Sequence, residues 1–258
     1  MRDPRDGHRV LPRDLAAGIW IGKGYEVAQY QLHEAVFPGR SAVVVSRFVR
    51  RWKERGLLAV ERWNRIGMNR LRLTSKGRDQ ILLSGLATPE ELFVPKRPVA
   101  PKDLAHRLWV NDLRVVLGGL PRKPDSILPH WAIERQFVPR WPAIPDLLSI
   151  YRGNLGLTLA VEVDLGGEPV GSVFVPKLRL LQEVLRDTSK GGRAAILILT
   201  SSDRRQSGIH AAVDSFSGSI PIGVEVLPRD GGRDGLQALG RLFNPDVQMS
   251  EQERASNS

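Results

Sequence analysis

Three prolines within seven residues divide the chain into two parts. Residues 94–101 read Val-Pro-Lys-Arg-Pro-Val-Ala-Pro. Proline fixes its own φ angle and has no amide hydrogen to donate, so neither a helix nor the interior of a sheet can run through such a segment. An extended linker is expected instead. With 258 residues, the chain is long enough for one domain on each side of this linker.

Positive charge is concentrated in the first part. The chain has 38 Lys and Arg against 28 Asp and Glu, a formal net charge of +10. Residues 1–97 hold 19 of the basic and 10 of the acidic residues, and residues 40–78 alone hold 12 basic and 2 acidic ones. Such a segment is typical of a nucleic-acid-binding module. We therefore expect double-stranded DNA as the partner.

Several classes of protein are excluded by what the sequence lacks. Without cysteine there are no disulfides, no Cys-ligated zinc and no thiol catalysis, which suits a reducing compartment. The first residues have no apolar signal segment, and no apolar run reaches membrane-spanning length. The five histidines show none of the spacings of a zinc motif. We expect a cytoplasmic protein with no membrane partner.

Residues 27–57 have the pattern of two helices joined by a tight turn. Residues 27–37 have helical spacing and end at Pro38-Gly39. Ser41 can cap a second helix that ends at Gly56. Its apolar face consists of Val45, Phe48, Val49 and Trp52. Its basic side chains are Arg47, Arg50, Arg51 and Lys53. Such a helix can enter the major groove while its apolar face packs on its own domain.

A β-hairpin is expected next, from residues 57–63 and 70–74. In the second strand Leu71 and Leu73 alternate with Arg70 and Arg72, which predicts leucines on the core face and arginines on the exposed face. The full set of predicted DNA-binding residues is Arg40, Arg47, Arg50, Arg51, Lys53, Arg62, Arg65, Arg70, Arg72 and Lys76. The order of these elements resembles the winged helix-turn-helix regulators of bacteria.

The second part has the pattern of an α/β sandwich. A helix is expected from residue 102, strands at 131–138, 144–151, 157–164 and 194–200, and a helix carrying Lys177 between the last two. The acidic residues lie in the first three strands. They are Glu134, then Asp146 at the beginning of its strand, then Glu162 and Asp164 on one face of theirs.

Carboxylates at neighbouring strand ends can bind a divalent cation. We assign Asp146, Glu162 and Asp164 as ligands of Mg²⁺ or Mn²⁺. The cation would activate water for attack on a phosphodiester, and Lys177 would stabilise the developing charge. With Glu134 these residues form the predicted catalytic set. The alternative is a degenerate site whose acids cap loops or pair with arginines.

The pattern Pro-Asp, then Glu-x-Asp, then Lys resembles the PD-(D/E)xK nuclease fold, which is similar to restriction endonucleases. The lysine that normally follows the Glu by two residues is replaced here by Asp164, and Lys177 could substitute for it. The predicted organisation is a flexible arm (1–12), a winged helix (13–94), a linker (95–101), a nuclease-like α/β domain (102–245) and a disordered tail (246–258).

Short segments of the chain resemble the replication-relaxation family of plasmids and mobile elements. They are Leu-Ala-His-Arg-Leu-Trp-Val-Asn-Asp-Leu from residue 104, Ile-Pro-Asp from 144, Val-Glu-Val-Asp-Leu-Gly-Gly-Glu from 161, and Lys-Leu from 177. The resemblance implies a role in plasmid replication, mobilisation or DNA relaxation, with replication or mobilisation proteins as partners. A metal-dependent DNA nickase is the enzymatic form of this hypothesis. A winged-helix transcriptional regulator, which could be a homodimer, and a non-catalytic accessory factor are the alternatives.

Overall fold

A three-stranded antiparallel sheet organises the first of two units. The computed structural model describes residues 11–63, 68–137, 141–153, 156–189, 192–214, 220–228 and 233–243, and the chain divides into residues 1–111 and 112–258. The strands of the first unit lie in the order β1-β3-β2. Its elements are α1 (Pro12–Gly24), β1 (Val27–Ala28), α2 (Gln29–Val36), α3 (Ala42–Glu54), β2 (Leu58–Trp63), β3 (Met68–Leu73) and α4 (Ser75–Leu82).

The predicted second helix and hairpin are confirmed. In α3 the four apolar residues Val45, Phe48, Val49 and Trp52 are all buried. The hairpin of β2 and β3 pairs Leu58 with Leu73 in antiparallel register. The helix predicted at 27–37 begins later, because Val27 and Ala28 pair with Leu71 and Arg70 as the third strand.

Thr74 and Gly77 explain how α4 packs against the hairpin. The Thr74 hydroxyl accepts a hydrogen bond from the Gly77 amide at 3.0 Å and so caps the helix. A Cβ atom on Gly77 would lie 2.2 Å from the Leu57 carbonyl oxygen, so only glycine permits this approach.

The proline-rich segment does not mark the boundary between the units. Helix α5 (Pro101–Gly119) follows it directly, and the division falls inside this helix, after Asn111. The Val99 amide donates to Glu26 at 2.9 Å, and Leu104 and Leu108 form a small apolar cluster with Ala28. The segment and the first half of α5 therefore belong to the first unit.

The second unit is built on a five-stranded mixed sheet in the order β4-β5-β6-β7-β8. The first three strands pair antiparallel, and β6, β7 and β8 are parallel. The strands are β4 (Ser126–Pro129), β5 (Leu147–Tyr151), β6 (Leu157–Asp164), β7 (Arg193–Thr200) and β8 (Ile222–Val226). The helices are α6 (His130–Phe137), α7 (Val175–Ser189), α8 (Asp203–Asp214) and α9 (Arg233–Phe243), and a π-helical turn (Val170–Phe174) precedes α7.

Parallel strands require crossover connections, and α7 and α8 supply them. Ile196 and Ile198 of β7 form one core cluster with Leu178 of α7 and Ile209 of α8, so both helices cover the same face of the sheet. The strands predicted at 144–151, 157–164 and 194–200 are confirmed in position, although the first begins at Leu147.

The strand predicted at 131–138 is wrong. Trp131 and Ile133 alternate as in a strand, but both are buried residues of the helix α6, and β4 precedes them. The chain is thus a mixed α/β protein with two sheets. Within the described residues, no helix is both long enough and apolar enough to cross a membrane.

Candidate functional site

The first unit exposes basic side chains along α3. Arg47, Arg50 and Lys53 are exposed, while the opposite face of the helix is buried in the core. Arg50 lies 3.9 Å from Glu54, a loose exposed pair one helical turn away. Three further predicted residues, Arg40, Lys76 and Arg62, are exposed on neighbouring segments. Arg65 lies outside the described residues.

Arg51 has a structural partner. Its guanidinium donates to the Asp14 carboxylate of α1 at 2.7 Å, and the Asp14 side chain is only 7% exposed. About half of the Arg51 side chain remains accessible. Because this pair joins α1 to α3, Arg51 orients α3 as well as adding charge to its surface.

Arg70 and Arg72 contradict the prediction that they are exposed. Their side chains are 15% and 12% exposed, and both bind Glu61 of β2 and approach the fully buried Glu26. Arg70 lies 3.0 Å from Glu26 and 2.7 Å from Glu61. The hairpin alone would leave this face open to solvent. The chain just before β1 places the buried carboxylate of Glu26 against it, and a buried charge requires partners.

The carboxylates of the second unit share one face of its sheet. Ala160 of β6 and Ile198 of β7 belong to the core cluster beneath α7 and α8. Side chains along a strand alternate between faces, so Glu162 and Asp164 point to the same helix-covered face as Ala160. Asp146 directly precedes β5, and one of its carboxylate oxygens accepts a hydrogen bond from the Val163 amide at 2.8 Å.

Glu162 and Lys177 form a buried hydrogen-bonded pair at the centre of this site. The Lys177 ammonium of α7 donates to Glu162 Oε2 at 2.6 Å. The Glu162 side chain is 2% exposed, and its other oxygen, Oε1, is buried with no hydrogen-bond partner among the described residues. A buried polar atom without a partner costs free energy, so one oxygen of Glu162 is left for a group that can satisfy it.

The ionisation of this pair reflects its burial. Burial raises the pKa of Glu162, the negative charge of Asp146 acts in the same direction, Lys177 opposes both, and the resulting pKa is about 8. Burial alone would lower the pKa of Lys177. The negative charges of Glu162, Asp146 and Glu168 outweigh that effect, and the pKa of Lys177 lies above its ordinary value. Asp146, Glu162 and Lys177 are therefore one electrostatically coupled group.

Asp164 was predicted to be a metal ligand, but both of its carboxylate oxygens are hydrogen-bonded to other residues of the protein. Arg205 of α8 donates to one of its carboxylate oxygens at 2.6 Å and to the other at 3.2 Å. The Gly166 amide adds a third hydrogen bond at 2.9 Å. Within the part of the chain that is described, no group of three or more His, Cys, Asp or Glu could hold a metal ion. The prediction of three convergent carboxylates is wrong, because a guanidinium occupies the third.

Glu134 also lies apart from the predicted position. It was expected in a strand beside Asp146, but it is an exposed residue of the helix α6. No contact links it to Glu162 or Lys177 in the described residues. We remove it from the candidate catalytic residues.

Arg205 is the residue of this candidate site that the sequence did not predict. No role for Arg205 was predicted from the sequence, and the structure places it in the first turn of α8, which begins at Asp203. The signal was available, since Ser201-Ser-Asp-Arg-Arg follows an apolar strand directly and Ser or Asp commonly begins a helix.

Comparison of the chain with protein-family models, curated proteins and solved structures gave no match.

Proposed function

We propose that the chain binds double-stranded DNA through the basic surface of α3 and hydrolyses a phosphodiester at Asp146, Glu162 and Lys177 with the help of Mg²⁺ or Mn²⁺. The order of elements in the first unit supports a winged helix, in which α3 is the recognition helix and β2 and β3 form the wing. The mixed sheet, with antiparallel β4, β5 and β6 followed by parallel β7, supports a restriction-endonuclease-like second unit. A role in plasmid replication, mobilisation or DNA relaxation belongs to the same proposal, on the strength of the resemblance in short motifs.

The observation that carries this proposal is the unsatisfied oxygen of Glu162. Lys177 binds only Oε2, and Oε1 is buried without a partner. A site evolved only for packing would be expected to satisfy or replace such an atom. Asp146 is near enough for its charge to raise the pKa of Glu162. When both carboxylates are charged they repel each other, and a bound divalent cation would offset that repulsion.

The residues fit a small divalent cation. Mg²⁺ is commonly held by one or two carboxylates, with water and substrate phosphate as the remaining ligands. Asp146 and Glu162 supply two carboxylates, and Glu162 has an available oxygen. When bound, such a cation lowers the pKa of coordinated water and polarises the phosphoryl group.

The chain's own residues have separate tasks in this proposal. In hydrolysis, a water oxygen bonds to phosphorus, the bond from phosphorus to one sugar oxygen breaks, and that oxygen takes up a proton. Negative charge grows on the phosphoryl oxygens during the step. Lys177, kept charged by its acidic neighbours, is placed to stabilise that charge. The hydrogen bond from the Val163 amide fixes the orientation of Asp146.

Nicking of supercoiled plasmid tests the proposal directly. Wild-type protein with Mg²⁺ or Mn²⁺ should convert supercoiled DNA to the open circle, whereas Glu162→Gln and Asp146→Asn should abolish conversion. Lys177→Met should retain DNA binding and slow nicking by at least tenfold, since it removes a charge that acts on the transition state. Glu183→Gln makes the same chemical change at an exposed position of α7 and should nick like wild type. Metal-dependent nicking that persists in Glu162→Gln would contradict the proposal.

The second candidate function is a non-catalytic accessory factor or transcriptional regulator. The pairing of Asp164 with Arg205 favours it, because an arginine-paired carboxylate is what a degenerate site would contain. Under this alternative the wild type binds DNA without metal-dependent nicking. The same plasmid assay therefore separates the two functions.

A further inference from the structure

A cavity of about 340 Å³ lies beyond the carboxyl ends of β6 and β7. Its walls include Gly166 from the turn after β6, Ser201 and Ser202 after β7, and Arg204 and Arg205 from the first turn of α8. Ligands of open α/β sheets commonly bind at this end of the strands. The described lining residues thus present two guanidinium groups and two hydroxyls, and none of them carries a carboxylate. That donor set suits a phosphate group.

Arg205 is held rigidly at the wall of this cavity. Its Nε and Nη2 atoms bind the two oxygens of Asp164, and Nη2 also donates to the Glu168 carbonyl. Within the described residues, Nη1 makes no hydrogen bond. A guanidinium fixed on one edge by a carboxylate loses little side-chain entropy when its free nitrogen binds a ligand. Arg204 beside it is exposed and adds a second positive charge.

A further buried polar group, the Thr200 hydroxyl, lies at the end of β7, next in sequence to the cavity residue Ser201. Thr200 is fully buried, and its Oγ1 atom has no hydrogen-bond partner among the described residues. Thr200 lies across from Asp164 in the parallel register and directly before Ser201. By strand alternation its side chain is on the face that α8 covers, as is that of Ile198. Unsatisfied polar groups therefore occur at Glu162 and again at this end of the sheet.

We propose that the cavity binds a backbone phosphate of the DNA strand whose adjacent phosphodiester lies at Asp146, Glu162 and Lys177. This inference rests on the proposed function, since it assigns a further subsite to the same substrate. Glu162 and Asp164 are two residues apart on β6, roughly 6.6 Å along a strand. A nucleic-acid strand carries its phosphates in series and can occupy both places at once. A free phosphate ion can occupy only one, which favours the DNA strand as the ligand.

The salt dependence of DNA binding tests this assignment on the full chain in EDTA, where no hydrolysis occurs. Arg204→Ala should lower the slope of log affinity against log salt by about 0.9 on duplex DNA or about 0.7 on a single strand, the value of one lost phosphate contact. Ser201→Ala should weaken affinity by about threefold to tenfold with no change of slope, because it removes a hydrogen bond and no charge. Arg186→Ala is the matched control, an exposed arginine of α7 that does not line the cavity. Its slope should equal that of wild type.

Inorganic phosphate distinguishes a DNA phosphate from a free anion. At equal ionic strength, phosphate in place of chloride should raise the melting temperature of wild type and of Arg186→Ala but not of Arg204→Ala. If phosphate binds and the DNA slope of Arg204→Ala is unchanged, the cavity takes a free phosphate ligand and the assignment to DNA is overturned. If phosphate has no effect and the slope is unchanged, the site itself is overturned. If Arg204→Ala lowers the salt slope but wild type never nicks plasmid, the phosphate site is supported and the proposed nuclease function is overturned.

Discussion

The ammonium group of Lys177 lies 2.6 Å from one carboxylate oxygen of Glu162 and leaves the other oxygen buried without a partner. Asp164, two residues further along the same strand, has both oxygens bound by Arg205. The two carboxylates lie on the same strand and the same face and are both buried, yet only Glu162 has an oxygen without a hydrogen-bond partner among the described residues. The proposed chemistry therefore depends on Glu162.

In the metal-free protein, the stability contributed by Glu162 should fall as the pH rises. The folded state holds the Glu162 proton with a pKa of about 8, against an ordinary value of 4.5. Because this pKa is raised, the protonated form of Glu162 stabilises the folded state. That contribution is complete below the ordinary value of 4.5 and is lost as the pH rises through about 8. Between about pH 5 and pH 8, wild type should lose stability relative to Glu162→Gln by up to about 1.4 kcal/mol per pH unit. Urea unfolding across this range in EDTA measures the difference.

Glu183→Gln serves as the control for that titration. Its carboxyl is exposed on the same helix as Lys177, so its removal should leave the pH dependence of wild type unchanged. If the curves for wild type and Glu162→Gln run parallel from about pH 5 to about pH 8, the Glu162 proton is not held as the structure implies.

A divalent cation should stabilise the folded protein most strongly in alkaline solution. Binding to Glu162 requires loss of its proton, so apparent affinity should weaken about tenfold for each pH unit below about 8. At about pH 8.5 and a hundredfold excess over the dissociation constant, Mg²⁺ or Mn²⁺ should add about 2.7 kcal/mol to the free energy of unfolding. Asp146→Asn and Glu162→Gln should lose this gain, and Glu183→Gln should retain it. Equal stabilisation of all four proteins would indicate non-specific cation binding and would exclude the assigned site.

The sequence predicted those parts of the site that depend on local pattern. The period of two placed Glu162 and Asp164 on one face of β6, and the apolar stripe of α7 placed Lys177 on the neighbouring helix. Which acid would be free could not be predicted, because Arg205 is 41 residues from Asp164 in sequence and reaches it only when β6 and β7 pair in register. The prediction that Glu134 lies in a strand was wrong for another reason. Trp131 and Ile133 fit the period of a strand, whereas Ile133 and Phe137 fit that of a helix, and over a short segment tertiary packing decides between the two.

The contrast between local pattern and contacts distant in sequence also explains why Arg70 and Arg72 of the first unit were predicted to be exposed but are buried. Alternation in β3 correctly placed Leu71 and Leu73 in the core, but it could not reveal that Glu26 would cover the opposite face. The exposed basic residues of α3 and the buried arginines of β3 should therefore respond differently to mutation: the former in DNA affinity, the latter in stability. Arg47→Ala with Arg50→Ala and Lys53→Ala should leave the fold intact and lower the salt slope of duplex binding by up to about 2.7, three contacts at about 0.9 each.

Arg70→Ala is the contrasting variant in that experiment. It leaves the buried Glu26 with weaker compensation, so stability should fall, by up to about 3–5 kcal/mol for a broken buried pair. Fluorescence anisotropy on duplex DNA and urea unfolding, run on both variants, separate the two effects. A triple variant of α3 that binds DNA with the slope of wild type would show that α3 is not the DNA-binding surface.

Truncation should locate the boundary of the first unit. A fragment of residues 1–97 loses the Val99 amide that binds Glu26, and it also loses Leu104 and Leu108, which pack against Ala28. It further loses Asn111, whose side chain donates to the Gly24 and Glu26 carbonyls at 3.2 and 3.0 Å. Burial of the two leucines alone is worth about 3–6 kcal/mol. A fragment of residues 1–119, which keeps all of α5, should therefore unfold cooperatively in urea, and the 1–97 fragment should be less stable by several kcal/mol or unfolded. Equal stability of the two fragments would instead restore the proline-rich segment as the boundary, because the first half of α5 would then contribute nothing to the first unit.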